Sequence, residues 1–253
     1  MGVRLFGLLC TGLLLAFDCH ADLVEVVARA KPSLVAVGTF NVMDNPRFGF
    51  RGTGFAVADG TLIVTNAHVL PDGGVGNSEA RIAVRVAEGP GGPEVRPATV
   101  ASLDGAHDLV LLKIAGTPLP PLAIAAAQDV REGQSIALMG FPIGGVLGFR
   151  PVTHRGIISA ITPIALPMPA SRQLNETAVQ RLRIGTFDVY QLDATAYPGN
   201  SGGPVMNAAT GEVVGVISMV LIKGTKESAL SHPSGISYAM PASYVQELLL
   251  KNR

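Results

Sequence analysis

Short runs in which apolar positions alternate with polar ones, or in which β-branched residues crowd together, recur along this chain with Gly, Pro, Asp and Asn between them. Six such runs, Leu34–Phe40, Gly52–Ala58, Leu62–Asn66, Arg81–Ala87, Val95–Ser102 and Leu109–Ile114, read as strands. The stretch Ala115–Gly133 carries Pro118, Pro120 and Pro121, and proline removes donors that a central strand needs, so it reads as a connector. Six further runs follow it: Ser135–Gly140, Gly156–Ile161, Phe187–Leu192, Gly203–Asn207, Val213–Val220 and Gly235–Met240. Helical spacing occurs mainly at the ends, over Leu23–Ala30 and over Ala242–Leu250. The first is stopped by Lys31-Pro32; in the second, Pro241 opens the helix and Val245, Leu248 and Leu249 share a face. The pattern predicts an all-β chain of two six-stranded antiparallel barrels with a short N-terminal helix and a C-terminal helix, since closure removes exposed edges. The first barrel falls at about 34–114, the connector at 115–134, the second barrel at about 135–240 and the closing helix at 241–250.

Two segments stand outside that pattern. Arg4 precedes an apolar run, Leu5–Phe17, too short for a membrane span of about 20 residues but suited to a secretory signal. Small residues up to Ala21 place a cleavage point there, making 1–21 a signal peptide and excluding stable membrane insertion after its removal; retention as an anchor is the alternative. Cys10 and Cys19 both fall in this segment, so no disulfide is expected in the mature chain. Thr162–Thr186, with Pro163, Pro167 and Pro169 and a short helical run at Leu174–Arg183, reads as a long, locally positive, solvated loop.

Composition narrows the function classes. With 48% hydrophobic and 15% charged residues, and 19 basic against 19 acidic, the chain is neither disordered nor built to grip a polyanion, which excludes nucleic acid as a partner. His154 and His232 read as lying in Gly-, Pro- and Ser-rich loops without ligand-like spacing to another His, Cys or carboxylate, so no metal site is expected.

The richest chemistry lies in Tyr197-Pro198-Gly199-Asn200-Ser201-Gly202-Gly203-Pro204, a serine in a tight glycine-rich turn. A serine hydroxyl is a weak nucleophile until a base takes its proton, and the oxyanion formed on attack needs preorganised donors. His68 ends the apolar strand in Val64-Thr65-Asn66-Ala67-His68-Val69, and Asp108 precedes another in Asp108-Leu109-Val110-Leu111-Leu112-Lys113-Ile114. The order His, Asp, Ser puts the first two in the first barrel and the third in the second, with a site in the cleft between. Gly199-x-Ser201-x-Gly203 also fits the nucleophile elbow of α/β-hydrolases, but no helix follows the turn, which excludes that reading.

Taken in order, Gly52-Thr53-Gly54-Phe55, Thr65 to Val69, Asp108 to Ile114, Gly140-Phe141-Pro142-Ile143-Gly144 and Gly199 to Pro204 resemble the trypsin-fold serine peptidases, most closely the Deg or HtrA branch. The resemblance covers roughly Leu23 to Leu250 and implies a trypsin-like peptidase domain over 22–253. By that resemblance Ser201 is the nucleophile, His68 the general base and acid, and Asp108 the group that orients His68. The backbone N–H groups of Gly199 and Ser201 form the implied oxyanion hole, and no metal or organic cofactor is called for. It also implies polypeptide substrates and action on unfolded or exposed segments in protein quality control, while the signal segment implies secretion, to the periplasm in a Gram-negative cell. Members of the branch are often trimeric through an N-terminal segment, a part that Asp22–Phe40 could play, the alternative being an ordinary first strand. Three features depart from the pattern. The expected chain has no PDZ domain after its closing helix. Tyr197 stands where a smaller polar residue is usual. Thr195, six residues before Ser201, replaces the acidic pocket floor of trypsin, which favours small or medium apolar side chains over Lys and Arg. Asn200 replaces the aspartate that pairs with a freed N-terminus in zymogen-activated trypsins, so ordering of the loops around 140–148 and 197–199 is the expected control.

The neighbouring residues read as bland. His107, after Gly105 and Ala106, reads as a solvated surface histidine; Asp104 is a rival to Asp108 but lies farther from the apolar strand; Asp193 reads as a buried, paired structural acid. The alternative function is a catalytically silent module of the same fold that binds polypeptides as a chaperone. Such a module normally lacks a triad residue, and all three are present here.

Overall fold

The computed structural model describes residues 22–71, 81–89, 92–144, 148–164, 187–218 and 235–252. The signal-like segment and the run Leu174–Arg183 lie outside the described residues. Among the described residues, twelve strands form two closed barrels, both antiparallel throughout. The first contains β1 (Leu34–Phe40), β2 (Phe48–Val57), β3 (Leu62–Asn66), β4 (Arg81–Gly89), β5 (Gly92–Asp104) and β6 (Leu109–Ile114), closed in the order β1-β2-β3-β6-β5-β4. The second contains β7 (Ser135–Gly140), β8 (Val152–Ile164), β9 (Phe187–Asp193), β10 (Pro204–Asn207), β11 (Val213–Ile217) and β12 (Ile236–Pro241), closed in the order β10-β11-β12-β9-β8-β7. Helices α1 (Leu23–Ala30) and α2 (Ala242–Lys251) flank them, as the pattern of the sequence predicts.

The apolar runs are continuous where both strand faces are covered. On β6, Val110, Leu112 and Ile114 enter the first barrel's interior with Val35, Val37, Ile63 and Val84. The alternate residues Leu109 and Leu111 face a second cluster that includes Val64, Met139, Met206, Val216 and the α2 residues Val245 and Leu248. That cluster is the seam between the barrels. Each such side chain taken from water stabilises by about 1.5–3 kcal/mol, so the seam holds the barrels in one fixed relation. The connector adds main-chain stitches: Leu122 N–H donates to Ala56 O in the first barrel, while Val213 N–H donates to Ala123 O and Ala125 N–H to Val213 O in the second.

Several strands exceed their sequence signal. β2 starts at Phe48 rather than Gly52, β5 spans 92–104 and β8 spans 152–164, with register shifts at Val37/Gly38, Val100/Ser102 and Ile158/Ala160. Bulges of this kind bend a strand round a barrel and break the strict alternation by which it would be recognised. β11 stops at Ile217, where Ser218 turns toward the cleft.

Candidate active site

The end of β3 leads through Asn66 into a single 3-10 turn, Ala67–Val69, that carries His68. The turn is bound to Asp108 along its length. Asp108 O accepts from Ala67 N–H at 3.0 Å and from the Asn66 amide Nδ2 at 3.0 Å, and its Oδ1 accepts from His68 N–H at 2.9 Å. Its Oδ2 lies 2.6 Å from His68 Nδ1. Asp108 holds this pose with φ of 55°, a left-handed conformation that a non-glycine residue adopts only when its surroundings over-determine it. The carboxylate is buried and the imidazole side chain is 31% exposed. An acceptor at Nδ1 fixes the tautomer with its proton there, which leaves Nε2 free to act as a base.

Ser201 comes from the other barrel, in a turn closed by Asn200 N–H to Tyr197 O and Gly203 N–H to Asn200 O, both 2.9 Å. The turn is fastened to the first barrel: Thr53 N–H donates to Ser201 O at 2.8 Å, and Thr53 Oγ1 donates to Gly199 O at 2.7 Å while accepting from Phe141 N–H at 3.0 Å. A Cβ on Gly202, whose φ is 84°, would lie 2.2 Å from Thr65 Oγ1 and 3.0 Å from Asn66 N. One on Gly52 would lie 2.7 Å from the Val69 side chain and 2.9 Å from Ser201 O. The serine turn therefore backs directly onto the residues that flank His68. The N–H groups of Asn200, Gly202 and Gly203 are committed to backbone carbonyls; among the described residues no backbone carbonyl accepts from those of Gly199 or Ser201. Ile143 N–H donates to Pro198 O at 2.7 Å, which braces the turn from the loop after β7.

Two contributors carry no recognisable sequence motif. Ser218, just past β11, donates its hydroxyl to Asp108 Oδ2 at 3.3 Å. Arg51 on β2 donates from Nε to Val69 O at 2.6 Å and from Nη2 to Leu70 O at 2.9 Å, clamping the chain just after His68. A polar residue inside the otherwise apolar run Val213–Val220 was the one available hint for Ser218. For Arg51 there was none, because its acceptors are main-chain atoms remote in sequence.

The bland readings need correction. His107 is not a solvated histidine: its side chain is 12% exposed and its Nδ1 lies 2.8 Å from Asp104 Oδ2. Its ring stacks on Tyr244 of α2 at 3.8 Å between centroids and meets the Phe187 ring edge-on. Asp104 thus serves His107 and not His68. Burial pushes its carboxyl up, but the His107 hydrogen bond and the charges of His107 and Lys251 outweigh this and hold it below the usual carboxylate range. Asp193 is exposed at the end of β9 instead of being buried. His154 lies within β8 and not in a loop, with its ring 5.7 Å from that of Tyr197. Its Nε2 is buried without a hydrogen-bond partner among the described residues, and burial pushes its pKa down. On the pocket side, Ala196 N–H donates to Ser237 Oγ at 3.0 Å and Ser237 Oγ donates to Ala194 O at 2.7 Å, which fixes the backbone on either side of Thr195. Among the described residues no group of three or more His, Cys, Asp or Glu could hold a metal ion, and no helix is long and apolar enough to cross a membrane.

Two closed antiparallel barrels with a buried carboxylate, an imidazole and a serine turn gathered at their seam define a class of protein by its architecture, the double β-barrel. Comparison with known proteins places the chain within it: residues 52–216 match the trypsin-like peptidase domain, and the chain belongs to that family. Its similarity runs to the HtrA branch. Bovine mitochondrial serine protease HTRA2 is 30% identical over 92% of this chain and 43% of the relative, and human serine protease HTRA3 is 28% identical over 92% of this chain and 45% of the relative. The chain therefore spans less than half the length of these curated relatives. Among solved structures, a serine endoprotease from Yersinia pestis superposes with a TM-score of 0.63 at 25% identity, covering 92% of this chain and 66% of that one. The HtrA-type protease AlgWS227A with tripeptide shares the fold, with a TM-score of 0.62 at 24% identity over 91% of this chain and 63% of that one.

Proposed function

We propose that this chain is a serine endopeptidase in which Ser201, His68 and Asp108 form the catalytic triad. The observation that carries the reading is the double attachment of Asp108 to His68, at Nδ1 and at the main-chain N–H, beside a serine turn bonded to the same barrel. Ser201 Oγ attacks the scissile carbonyl carbon as His68 Nε2 takes its proton, and the resulting oxyanion is received by the N–H groups of Gly199 and Ser201. Collapse of the tetrahedral intermediate expels the amine, which takes the proton from His68. Water then attacks the acyl-enzyme by the same route in reverse, regenerating Ser201. Asp108 holds the ring and supports its charged state and is not itself protonated.

The substrates are unfolded or exposed polypeptide segments. Thr195 supplies no counter-charge for a basic side chain, which favours small or medium apolar residues before the cleaved bond. The apolar run Leu5–Phe17 supports export, and with it a periplasmic site of action in protein quality control. Incubation with a denatured test protein, followed by sequencing of the fragments, tests the reading. Cleavage after apolar residues is expected, and Ser201→Ala lowers it by about 10⁴ to 10⁶. A folded wild-type chain that leaves the test protein intact would contradict it.

A further inference from the structure

Asp108 needs a rigid support on its N-terminal side as well as on the His68 side. Its left-handed φ of 55° is a rotation about the bond that joins it to the His107–Asp108 peptide. The orientation of that peptide therefore decides where the carboxylate points. Asp104 controls the preceding turn through three bonds at once: Oδ1 accepts from Ala106 N–H at 3.1 Å and His107 N–H at 3.2 Å, and Oδ2 binds His107 Nδ1 at 2.8 Å. The ring so held is then trapped between Tyr244 and Phe187, which belong to α2 and to the second barrel. An apolar residue could fasten α2 here without the cost of burying a polar pair. It could not accept two main-chain N–H groups and orient an imidazole together.

We propose that Asp104 and His107 form a positioning pair that sets the pose of Asp108, and so transmits the packing of α2 to the catalytic carboxylate. This rests on the triad reading given above. A residue immediately before a triad acid, held by its own separate carboxylate, gives the site a second His–Asp pair that touches no substrate and acts through the first.

His107→Phe tests this, because it keeps a ring over Tyr244 and removes the hydrogen bond to Asp104. The expected result is a folded protein with kcat lowered by about ten- to a hundredfold and KM unchanged, as for a small displacement of a catalytic group. In the Ser201→Ala background, followed by NMR, the His68 Nδ1 proton that bridges to Asp108 Oδ2 should move upfield in the His107→Phe variant, because a displaced carboxylate makes a weaker bond. Asp104→Asn, which keeps the acceptor for the turn, should move both readouts the same way by less, and serves if the first variant fails to fold. Wild-type kcat together with an unmoved His68 Nδ1 proton resonance in either folded variant, even with a lowered Tm, would overturn the proposal and leave the pair as a fastening for α2. The His68 Nδ1 resonance reports on the contact with Asp108 whether or not the chain cleaves peptides. Failure of the peptidase reading would appear instead as an inert wild type.

Discussion

Ser218 donates its hydroxyl to Asp108 Oδ2 at 3.3 Å, so the carboxylate supplied by the first barrel is also held from the end of β11 in the second. The same oxygen faces His68 Nδ1 at 2.6 Å. Ser218→Ala would leave the His68 bond in place and remove the contact across the seam. A hydrogen bond to a buried charged group contributes about 1–2 kcal/mol, so a fall of that size in unfolding free energy by urea titration is expected, with kcat lowered several-fold. Unchanged stability and turnover would show that the bond is incidental.

Arg51 makes a different prediction, since it touches only the main chain beyond His68. Replacing it by Ala removes two charge-assisted bonds to Val69 O and Leu70 O, and kcat/KM should fall by about three- to tenfold, equivalent to about 1 kcal/mol. Arg51→Lys should recover little, because an ammonium cannot present the planar two-pronged donor geometry of a guanidinium. Steady-state kinetics on one peptide substrate separates the three forms.

Glycine at 202 is required twice over, by its φ of 84° and by contacts of 2.2 Å that an added Cβ would make with Thr53 O and Thr65 Oγ1. Gly202→Ala should cost about 3–5 kcal/mol of stability and abolish reaction at Ser201. Gly133 has a similar φ of 80° but open space beside it. Gly133→Ala should therefore cost only about 1–2 kcal/mol and leave activity intact. Denaturant midpoints and peptidase rates for the pair check both statements.

The pH dependence of stability should carry a signature of His154. Burial favours its neutral form in the fold and lowers its pKa from 6.5, so as pH falls the unfolded chain takes up this proton first. Its contribution is complete above pH 6.5 and is lost as pH falls through the lowered folded value. Urea midpoints measured between pH 7.5 and 5.5 should decline in the wild type and decline less in His154→Gln; equal slopes would contradict this.

Much of the fold could be read from the sequence because barrel strands covered on both faces, such as Leu62–Asn66 and Leu109–Ile114, are short, apolar and bounded by turn residues. Strands that bulge, such as β2 and β8, lose their alternation and were underestimated. At the site, local patterns single out His68, Asp108 and Ser201; the structure sets His68 against Asp108 at 2.6 Å and bonds Ser201 O to Thr53 of the first barrel. Ser218 and Arg51 were not so singled out, since their roles depend on which main chain and carboxylate the fold brings beside them. His107 was misread for the same reason. Its small neighbours suggested solvent, whereas the ring that covers it belongs to Tyr244, far along the chain.

The proposed triad is tested most directly by treating the folded protein with a fluorophosphonate probe and mapping the adduct by mass spectrometry. The adduct should lie on Ser201 and be lost in Ser201→Ala, with labelling strongly slowed in His68→Ala and Asp108→Asn. An adduct at another residue, or labelling of Ser201 at the wild-type rate without His68, would contradict the account.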